Sequence, residues 1–354
     1  MNTQRSLVIG HWSLVGEEAF PPSPLRPFPP SFRRRRSGFT LVELLMVILI
    51  IGILAALLVV AAQSAVRRGK QTAVVLEMGS IEMAMQQYKD RAGAYPPDCG
   101  MGTAAARQNR IYTHVRSAFP KYVIGSYLLL QERISGTGTF SGTPAYNYST
   151  DNGGTVTSLD IDDLDQAEAL VFWLAGPPTP WDTSTNPATQ IGSTKTYGFS
   201  ANVRDPFEVG GSRLPGLFEF DQSRLSDVDG DGWLEYVPAG NPLLVSPTTG
   251  EPQMPPYVYF DAQTYTALAG VPYVPPATEW GQAIPYASAV SGTTVTWVHP
   301  DKFQIICAGL VDNNYGLTPT AGVFKLFPRG DNYAEVDYDN LANFTSATLE
   351  DAMP

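Results

Sequence analysis

The sequence predicts an α+β protein in which a long N-terminal helix, half of it transmembrane, packs on a C-terminal antiparallel β-sheet head with a large inserted region. Three observations predict this class. Residues 39–62 form an apolar run with a single charge, and residues 74–88 carry an apolar stripe at helical spacing. Short β-rich runs, separated by proline and glycine, follow residue 195. The 354 residues leave room for one sizeable domain beyond the apolar run.

The apolar run is long enough to cross a membrane. As a helix, the 24 residues of Phe39–Ala62 span about 36 Å, against a hydrocarbon core of about 30 Å. Arg33–Arg36 directly precede the run, whereas only three basic residues follow it closely, at Arg67, Arg68 and Lys70. This asymmetry predicts a single-pass membrane protein with a cytoplasmic N-terminus and the bulk of the chain outside the cytoplasm. The alternative is a secretory signal peptide cleaved near residues 61–65, although such signals have apolar cores of only about 7–15 residues.

One acid lies inside this run. Glu43 would cost about 2.5–3.5 kcal/mol at the centre of a bilayer, and intramembrane acids are by default functional. It could pair with the ammonium group of a neighbouring subunit, because such an attraction strengthens where water is excluded. The alternative is an ordinary anchor with a stray acid near its edge.

The residues around this acid form a motif, Arg33-Arg34-Arg35-Arg36-Ser37-Gly38-Phe39-Thr40-Leu41-Val42-Glu43. It resembles the prepilin signal of type IV pilins and of type II secretion pseudopilins, which reads Gly-Phe-Thr-Leu-hydrophobic-Glu. The resemblance implies that a prepilin peptidase cuts after Gly38 and methylates Phe39. It also implies that Glu43 is needed for the subunit to join its filament.

The helix is expected to continue beyond the membrane to about Ala92. Its apolar stripe comprises Val74, Val75, Met78, Ile81, Met85 and Tyr88. The same periodicity turns Glu77, Glu82, Lys89 and Asp90 to water. Gly93 and Pro96-Pro97 predict the end of the helix, and the segment around them resembles the Gly-x-Tyr-Pro turn of pseudopilins.

These signals divide the chain into five parts. They are a leader at 1–38, the transmembrane and filament-core helix at 39–62, the exposed half of the helix at 63–95, an insertion at 96–200 and a β-rich head at 201–354. A helix is predicted near residues 162–175 of the insertion. Strands are predicted at Lys195–Ser200, Leu214–Phe220, Leu234–Val237, Pro256–Phe260, Val295–Val298, Phe303–Ala308 and Gly322–Phe327.

The charge of the chain is unevenly distributed. The net charge is −11, and since the leader contributes +4, residues 39–354 carry −15. Such a balance disfavours a nucleic-acid partner and suits divalent cations. Cys99 and Cys307 leave two alternatives open, a disulfide in an oxidising compartment or two small buried apolar side chains.

An acidic loop predicts a Ca²⁺ site. In Asp227-Val228-Asp229-Gly230-Asp231-Gly232-Trp233-Leu234-Glu235, acids at positions 1, 3 and 5 precede a glycine at position 6, as in an EF-hand. The candidate ligands are Asp227, Asp229, Asp231, the Trp233 carbonyl and Glu235, with Asp221 near enough to contribute. Position 12 is Pro238 instead of the usual glutamate. The alternative is a solvated acidic turn whose glycines supply positive φ.

A second loop resembles part of the major pseudopilin of type II secretion. Phe303–Leu310 looks like the last core strand, followed by Asp312-Asn313 and, further on, Asp339-Asn340. The resemblance implies Ca²⁺ at Asp312 and Asp339, although the family usually has Asp-Gly where this chain has Asp312-Asn313. An ordinary hairpin loop is the alternative.

Signals of catalysis are weak. His11, His114 and His299 lack metal-ligand spacing, so a surface position is predicted for His114 and His299. Trp173, Trp181, Trp233, Trp280 and Trp297 favour core packing over a sugar-binding platform.

The resemblance therefore implies a non-enzymatic subunit of a type II secretion pseudopilus, a single-pass protein of the inner membrane whose N-terminus is cytoplasmic and whose head is periplasmic. Its expected partners are other pilin or pseudopilin subunits, a prepilin peptidase, the inner-membrane assembly platform and membrane lipid. The alternatives are a type IV pilus subunit or adhesin, or a secreted enzyme or carbohydrate-binding domain on a pilin-type anchor.

Overall fold

The computed structural model describes residues 38–100, 103–135, 146–148, 159–182, 189–190, 193–239, 254–268, 272–275, 280–316 and 323–354. The chain divides into two compact units, Met1–Leu58 and Val59–Pro354. Arg33–Arg36 lie outside the described residues. Each unit is described by itself below.

Helix α1 spans Leu41–Ala92, which confirms the predicted long helix and its end. Gly93 adopts φ +84° and donates its N–H to the Lys89 carbonyl at 2.7 Å. Such a left-handed residue is the usual stop of a helix and favours glycine. Within the part of the chain that the structure describes, α1 is the helix long and apolar enough to cross a membrane.

The second unit contains the buried face of α1. Val74, Met78, Ile81, Met85 and Tyr88 are buried, as the stripe predicts. They share one apolar core with α4 (Ala169–Ala175), in which all seven residues are buried. A helix that is apolar on every side must be enclosed in this way.

Glu77 corrects the prediction for the opposite face of α1. Its carboxylate is half-buried and accepts hydrogen bonds from Arg224 Nη1 at 2.9 Å, Tyr236 OH at 2.8 Å and Tyr257 OH at 2.7 Å. Burial raises the pKa of Glu77, but the hydrogen bonds from Arg224 and Tyr257 outweigh it and leave the pKa below its ordinary value. The expectation that Glu77 faces water was wrong because periodicity does not show which side chains of the head approach the helix.

The insertion contains more helix than the sequence predicts. Besides α4 there are α2 (Ala104–Ala118) and α3 (Tyr127–Ser135). The Thr103 hydroxyl accepts a hydrogen bond from the Ala106 N–H at 3.4 Å and caps α2. The helix expected at 162–175 begins only at Ala169, after turns at 161–163 and 166–168.

The strands form small antiparallel sheets. The central one has the order β10-β9-β6, with β6 at Val258–Asp261, β9 at Phe303–Cys307 and β10 at Leu341–Ala342. Tyr259 pairs with Ile305 and Leu341 with Cys307. The other strands are β1 (Tyr146–Tyr148), β2 (Pro180–Asp182), β3 (Thr189–Gln190), β4 (Leu225–Ser226), β5 (Glu235–Tyr236), β7 (Ala287–Ser291) and β8 (Thr294–Trp297). The orders β1-β2-β3, β4-β5 and β7-β8 complete the described sheets, and α5 is the short helix Tyr265–Leu268.

Three predicted strands were wrong. Lys195–Ser200 makes isolated bridges only, at Thr196 and Ser200. Within Gly322–Phe327, Leu326 makes two isolated bridges, to Ala287 and to Asp331, and Gly322 itself lies outside the described residues. Leu214–Phe220 is irregular because its backbone bonds elsewhere: Leu217 N–H donates to the Leu174 carbonyl of α4 at 2.7 Å. The four other predicted strands are present in shortened or shifted form.

Cys99 and Cys307 are both free and buried. The interpretation as two small apolar side chains is confirmed, and a pair between them was the wrong alternative.

The buried carboxyl group of Asp98 should make the stability of the second unit depend on pH. It is fully buried, and its Oδ2 accepts hydrogen bonds from Asp261 N–H at 2.9 Å and from the Thr264 hydroxyl. Burial raises its pKa to about 7. The unfolded value is about 3.9, so this contribution to stability is complete below pH ~4 and is lost as pH rises through 7.

We therefore expect Asp98→Asn to be more stable than the wild type at pH 8, by on the order of 3–4 kcal/mol, and not at pH 4. Denaturant unfolding at both pH values measures this. Asp90→Asn, at an exposed site on α1, is the matched control and should change stability equally little at each pH. An unaltered pH dependence in Asp98→Asn would contradict the assignment.

Candidate functional site

The N-terminal candidate site begins with a capped helix. Thr40 N–H and the Thr40 hydroxyl both donate to Glu43 Oε2 at 2.9 Å, and Glu43 N–H donates to the Thr40 hydroxyl at 3.2 Å. This reciprocal pair is a capping box, which satisfies backbone donors that a helix start leaves open. Glu43 therefore holds the first turn of α1 in addition to any role in assembly.

The predicted processing site lies next to this cap. Gly38 and Phe39 are exposed, and no described atom lies within 4 Å of the position that a Cβ on Gly38 would occupy. All described side chains from Phe39 to Leu58 are exposed as well. Such a long exposed apolar surface marks a membrane or protein contact.

The acidic loop connects two paired strands. Leu225 of β4 pairs with Tyr236 of β5, and Ser226 with Glu235, so the loop closes a hairpin. Gly230 and Gly232 have φ of +86° and +98°, which side chains rarely adopt. Four loop acids accept backbone hydrogen bonds: Asp227 from Gly230 at 2.8 Å, Asp229 from Asp231 at 3.4 Å, Asp231 from Trp233 at 2.8 Å and Glu235 from Val228 at 2.9 Å.

The predicted carboxylates converge. One oxygen each from Asp227, Asp229 and Asp231 lie within 4.8 Å of one another, and the same holds for Asp229, Glu235 and Glu168. Asp229 belongs to both groups. A cation with ligand distances of about 2.4 Å spans oxygens at this separation.

Glu168 is a site residue that sequence reasoning missed. It precedes α4, is 1% exposed, and its Oε2 accepts from the Asp165 N–H at 2.8 Å. Its Oε1 is buried and has no hydrogen-bond partner among the described residues. The acidic turn at 160–168 was the available signal, but the sequence does not show that it meets a hairpin some 60 residues later.

We call these six side chains the acidic cluster: Asp165, Glu168, Asp227, Asp229, Asp231 and Glu235. Burial and the Asp229 charge raise the pKa of Asp231 to about 8. Burial also raises the pKa of Asp165 to about 7, where the Arg107 charge acts in the opposite direction. The pKa values of Glu168 and Glu235 lie well above their ordinary range, because both groups are buried and face other acids. Burial and mutual repulsion thus both disfavour the charged forms of these acids.

Trp233 has a structural role besides its predicted carbonyl. The indole is buried, and its Nε1–H donates to the Asp160 carbonyl at 2.8 Å, which ties the hairpin to the segment that carries Asp165 and Glu168. Asp221 is engaged elsewhere: it accepts from Ser223 N–H at 3.0 Å and lies 3.5 Å from Arg224 Nε.

Asp339 contacts the loop that carries Asp312. Asp339 Oδ2 accepts from the Val311 N–H at 2.9 Å, whereas the Asp312 side chain is exposed. Burial raises the pKa of Asp339, and the Asp312 charge adds to this effect. Calcium at these two residues stays a prediction.

The histidine and tryptophan predictions had mixed outcomes. His114 is buried, which corrects the predicted surface position, and its Nε2 lies 2.9 Å from Tyr88 OH. Burial lowers the pKa of His114 to about 4, so the ring is neutral. Trp173, Trp233 and Trp280 are buried, which confirms core packing for these three.

The chain has an exposed apolar helix whose first turn is capped by Thr40 and Glu43, and a glycine and four arginines precede this helix. This arrangement is that of a prepilin-type N-terminus. Residues 33–59 match the family model of the prokaryotic N-terminal methylation motif. A stretch of 64 residues, 18% of the chain, is 42% identical to the type II secretion system core protein G of Pseudomonas aeruginosa and covers 45% of that protein. The N-terminal region is thus homologous to a major pseudopilin.

Two other relatives extend this finding. Type II secretion system core protein G of Aeromonas hydrophila is 39% identical over 64 residues, 18% of the chain and 45% of that protein. Fimbrial protein EcpC of Eikenella corrodens is 37% identical over 79 residues, 22% of the chain and 52% of that protein. The chain thus spans about half the length of the curated relatives it matches, and no solved structure matches it.

Proposed function

We propose that this chain is a structural subunit of a type II secretion pseudopilus. A prepilin peptidase cuts it after Gly38 and methylates Phe39. At the assembly platform, the matured helix then leaves the inner membrane and packs against the helices of other pilin or pseudopilin subunits. The head lies in the periplasm, and the subunit performs no catalytic step itself.

The observation that carries this proposal is the coincidence of the methylation motif at 33–59 with similarity to core protein G. The geometry of α1 supports it. The side chains from Phe39 to Leu58 are exposed and mostly apolar, so they are available to lipid before assembly and to neighbouring helices afterwards. Glu43 is the single acid within this surface.

A type IV pilus subunit is the second candidate, and the similarity to fimbrial protein EcpC favours it. Both functions use the same processed helix. Deleting the gene in its native host distinguishes them: loss of exported proteins with intact pili supports the pseudopilus, and loss of pili with intact export supports the pilus.

Processing is the direct test of the proposal. We expect mass spectrometry of the mature protein to find methylated Phe39 at the N-terminus, after co-expression with a prepilin peptidase. Gly38→Val should block the cut, because the substitution places a branched side chain at the scissile peptide, whereas Gly69→Val, also on the exposed surface of the chain, should be processed normally. A mature chain that retains Arg33–Arg36, or that begins beyond Ala62, would rule the proposal out.

A further inference from the structure

We propose that the β4–β5 hairpin binds one Ca²⁺ ion whose closing ligand is Glu168, a residue of the segment before α4. The ion would be held by Asp229, Glu235 and Glu168, and the carboxylates of Asp227 and Asp231 also converge on Asp229. The site is independent of the proposed role in a filament, since every residue in it belongs to the second unit.

The loop by itself lacks one ligand. In an EF-hand, a bidentate glutamate at position 12 closes the coordination shell, and this chain has Pro238 there. Glu168 approaches the loop from the other side, and its carboxylate lies within 4.8 Å of those of Asp229 and Glu235. A distant segment therefore supplies the acidic ligand that the loop does not contain.

The burial of Glu168 and its unpaired oxygen also point to a bound cation, separately from the convergence of the carboxylates. The side chain is 1% exposed, and Oε1 accepts no hydrogen bond from any residue that the structure describes. A buried oxygen without a partner destabilises the folded state, and more so if it is charged. This oxygen belongs to the Glu168 carboxylate, which converges on those of Asp229 and Glu235. A cation bound there would give this carboxylate the partner that it lacks.

The charge of the acidic cluster specifies the kind of ligand. Its carboxylates form two converging groups of three that share Asp229, and a divalent cation removes the repulsion between them. Oxygen-only ligands favour Ca²⁺ or Mg²⁺, and a site made from a loop and a separate segment suits the irregular coordination of Ca²⁺ better than the octahedral shell of Mg²⁺.

Binding would connect two regions of the unit that the sequence separates. Trp233 already joins the hairpin to Asp160, and a shared ion would add a second link between the hairpin and the entry to α4. Because α4 lies in the apolar core against α1, the site would stabilise the packing of the whole unit.

The test uses the full-length chain in detergent and Ca²⁺ alone as the probe. We expect calorimetric titration to show Ca²⁺ binding, with a rise in melting temperature that Mg²⁺ at the same concentration does not match. Glu168→Gln and Asp229→Asn should each bind one Ca²⁺ fewer per chain, or bind it at least about tenfold more weakly. The matched control Glu219→Gln, at an exposed acid of the head, should bind as the wild type does.

Glu168→Gln should remain folded without calcium, because glutamine keeps an oxygen for the Asp165 N–H and removes a buried charge. Its melting temperature in chelator should therefore equal or exceed that of the wild type. Wild-type stoichiometry and affinity in Glu168→Gln would overturn the proposal, as would a wild-type chain that binds no Ca²⁺. If Asp312→Asn with Asp339→Asn alone removes all binding, the ion belongs to that turn and the proposal also fails.

Discussion

Glu43→Ala should abolish assembly into filaments while leaving the cut after Gly38 intact. Under the proposed function, the peptidase would act on the exposed glycine peptide, whereas assembly would bring Glu43 between apolar helices. An unpaired carboxylate there is costly, and one paired with the ammonium group of Phe39 in a neighbouring subunit is favourable. The measurement compares sheared filament fractions with the mass of the processed subunit.

Glu43 has a second role that a control must separate. Its capping box with Thr40 stabilises the first turn of the helix. Glu43→Gln keeps an acceptor for the cap but removes the charge, and Thr40→Ala weakens the cap but keeps the charge. We expect no filaments from Glu43→Gln and reduced but detectable filaments from Thr40→Ala. Normal filaments from Glu43→Gln would show that the charge is dispensable.

Lys325→Met should destabilise the second unit by about 3–5 kcal/mol, because it leaves the buried Asp337 carboxylate without its counter-charge. Lys325 Nζ lies 2.6 Å from Asp337 Oδ1 and donates to the Tyr315 carbonyl at 3.0 Å. The two side chains are 1% and 0% exposed. Burial lowers the pKa of Lys325 and raises that of Asp337, and the pair is held against both effects by its mutual attraction.

Two comparisons isolate the charge in this prediction. Lys325→Met combined with Asp337→Asn should lose clearly less stability than Lys325→Met alone, since no buried ion is left unpaired. Arg329→Met breaks a neighbouring ion pair with Asp331 whose side chains are 66% and 40% exposed, and should cost less than about 1 kcal/mol. Denaturant unfolding measures all three, and similar losses from Lys325→Met and Arg329→Met would contradict the prediction.

The N-terminal site could be predicted from the sequence because its determinants are local. The apolar run and the Gly93 stop both lie within a few residues of the features they produce. The loop acids Asp227, Asp229 and Asp231 could be predicted for the same reason, since their spacing within one hairpin determines their convergence.

The rest depends on contacts between distant segments. Nothing in the sequence around Glu168 shows that it faces Asp229, and nothing around Glu77 shows that it meets Arg224, 147 residues later. The helix α2 was missed because its buried face includes a polar residue, His114, which pairs with Tyr88. Leu214–Phe220 was assigned to a strand from composition, while its backbone in fact bonds to α4.

In the turn that follows α1, the carbonyls of both prolines accept hydrogen bonds from side chains of the second unit. Tyr259 OH donates to the Pro96 carbonyl at 2.7 Å, and the Trp173 indole donates to the Pro97 carbonyl at 3.0 Å. These bonds join the end of the helix to β6 and to α4, two elements far apart in the sequence. A pulling force along the helix would therefore be distributed over β6 and α4. The loop that follows α1 would resist detaching from the rest of the second unit.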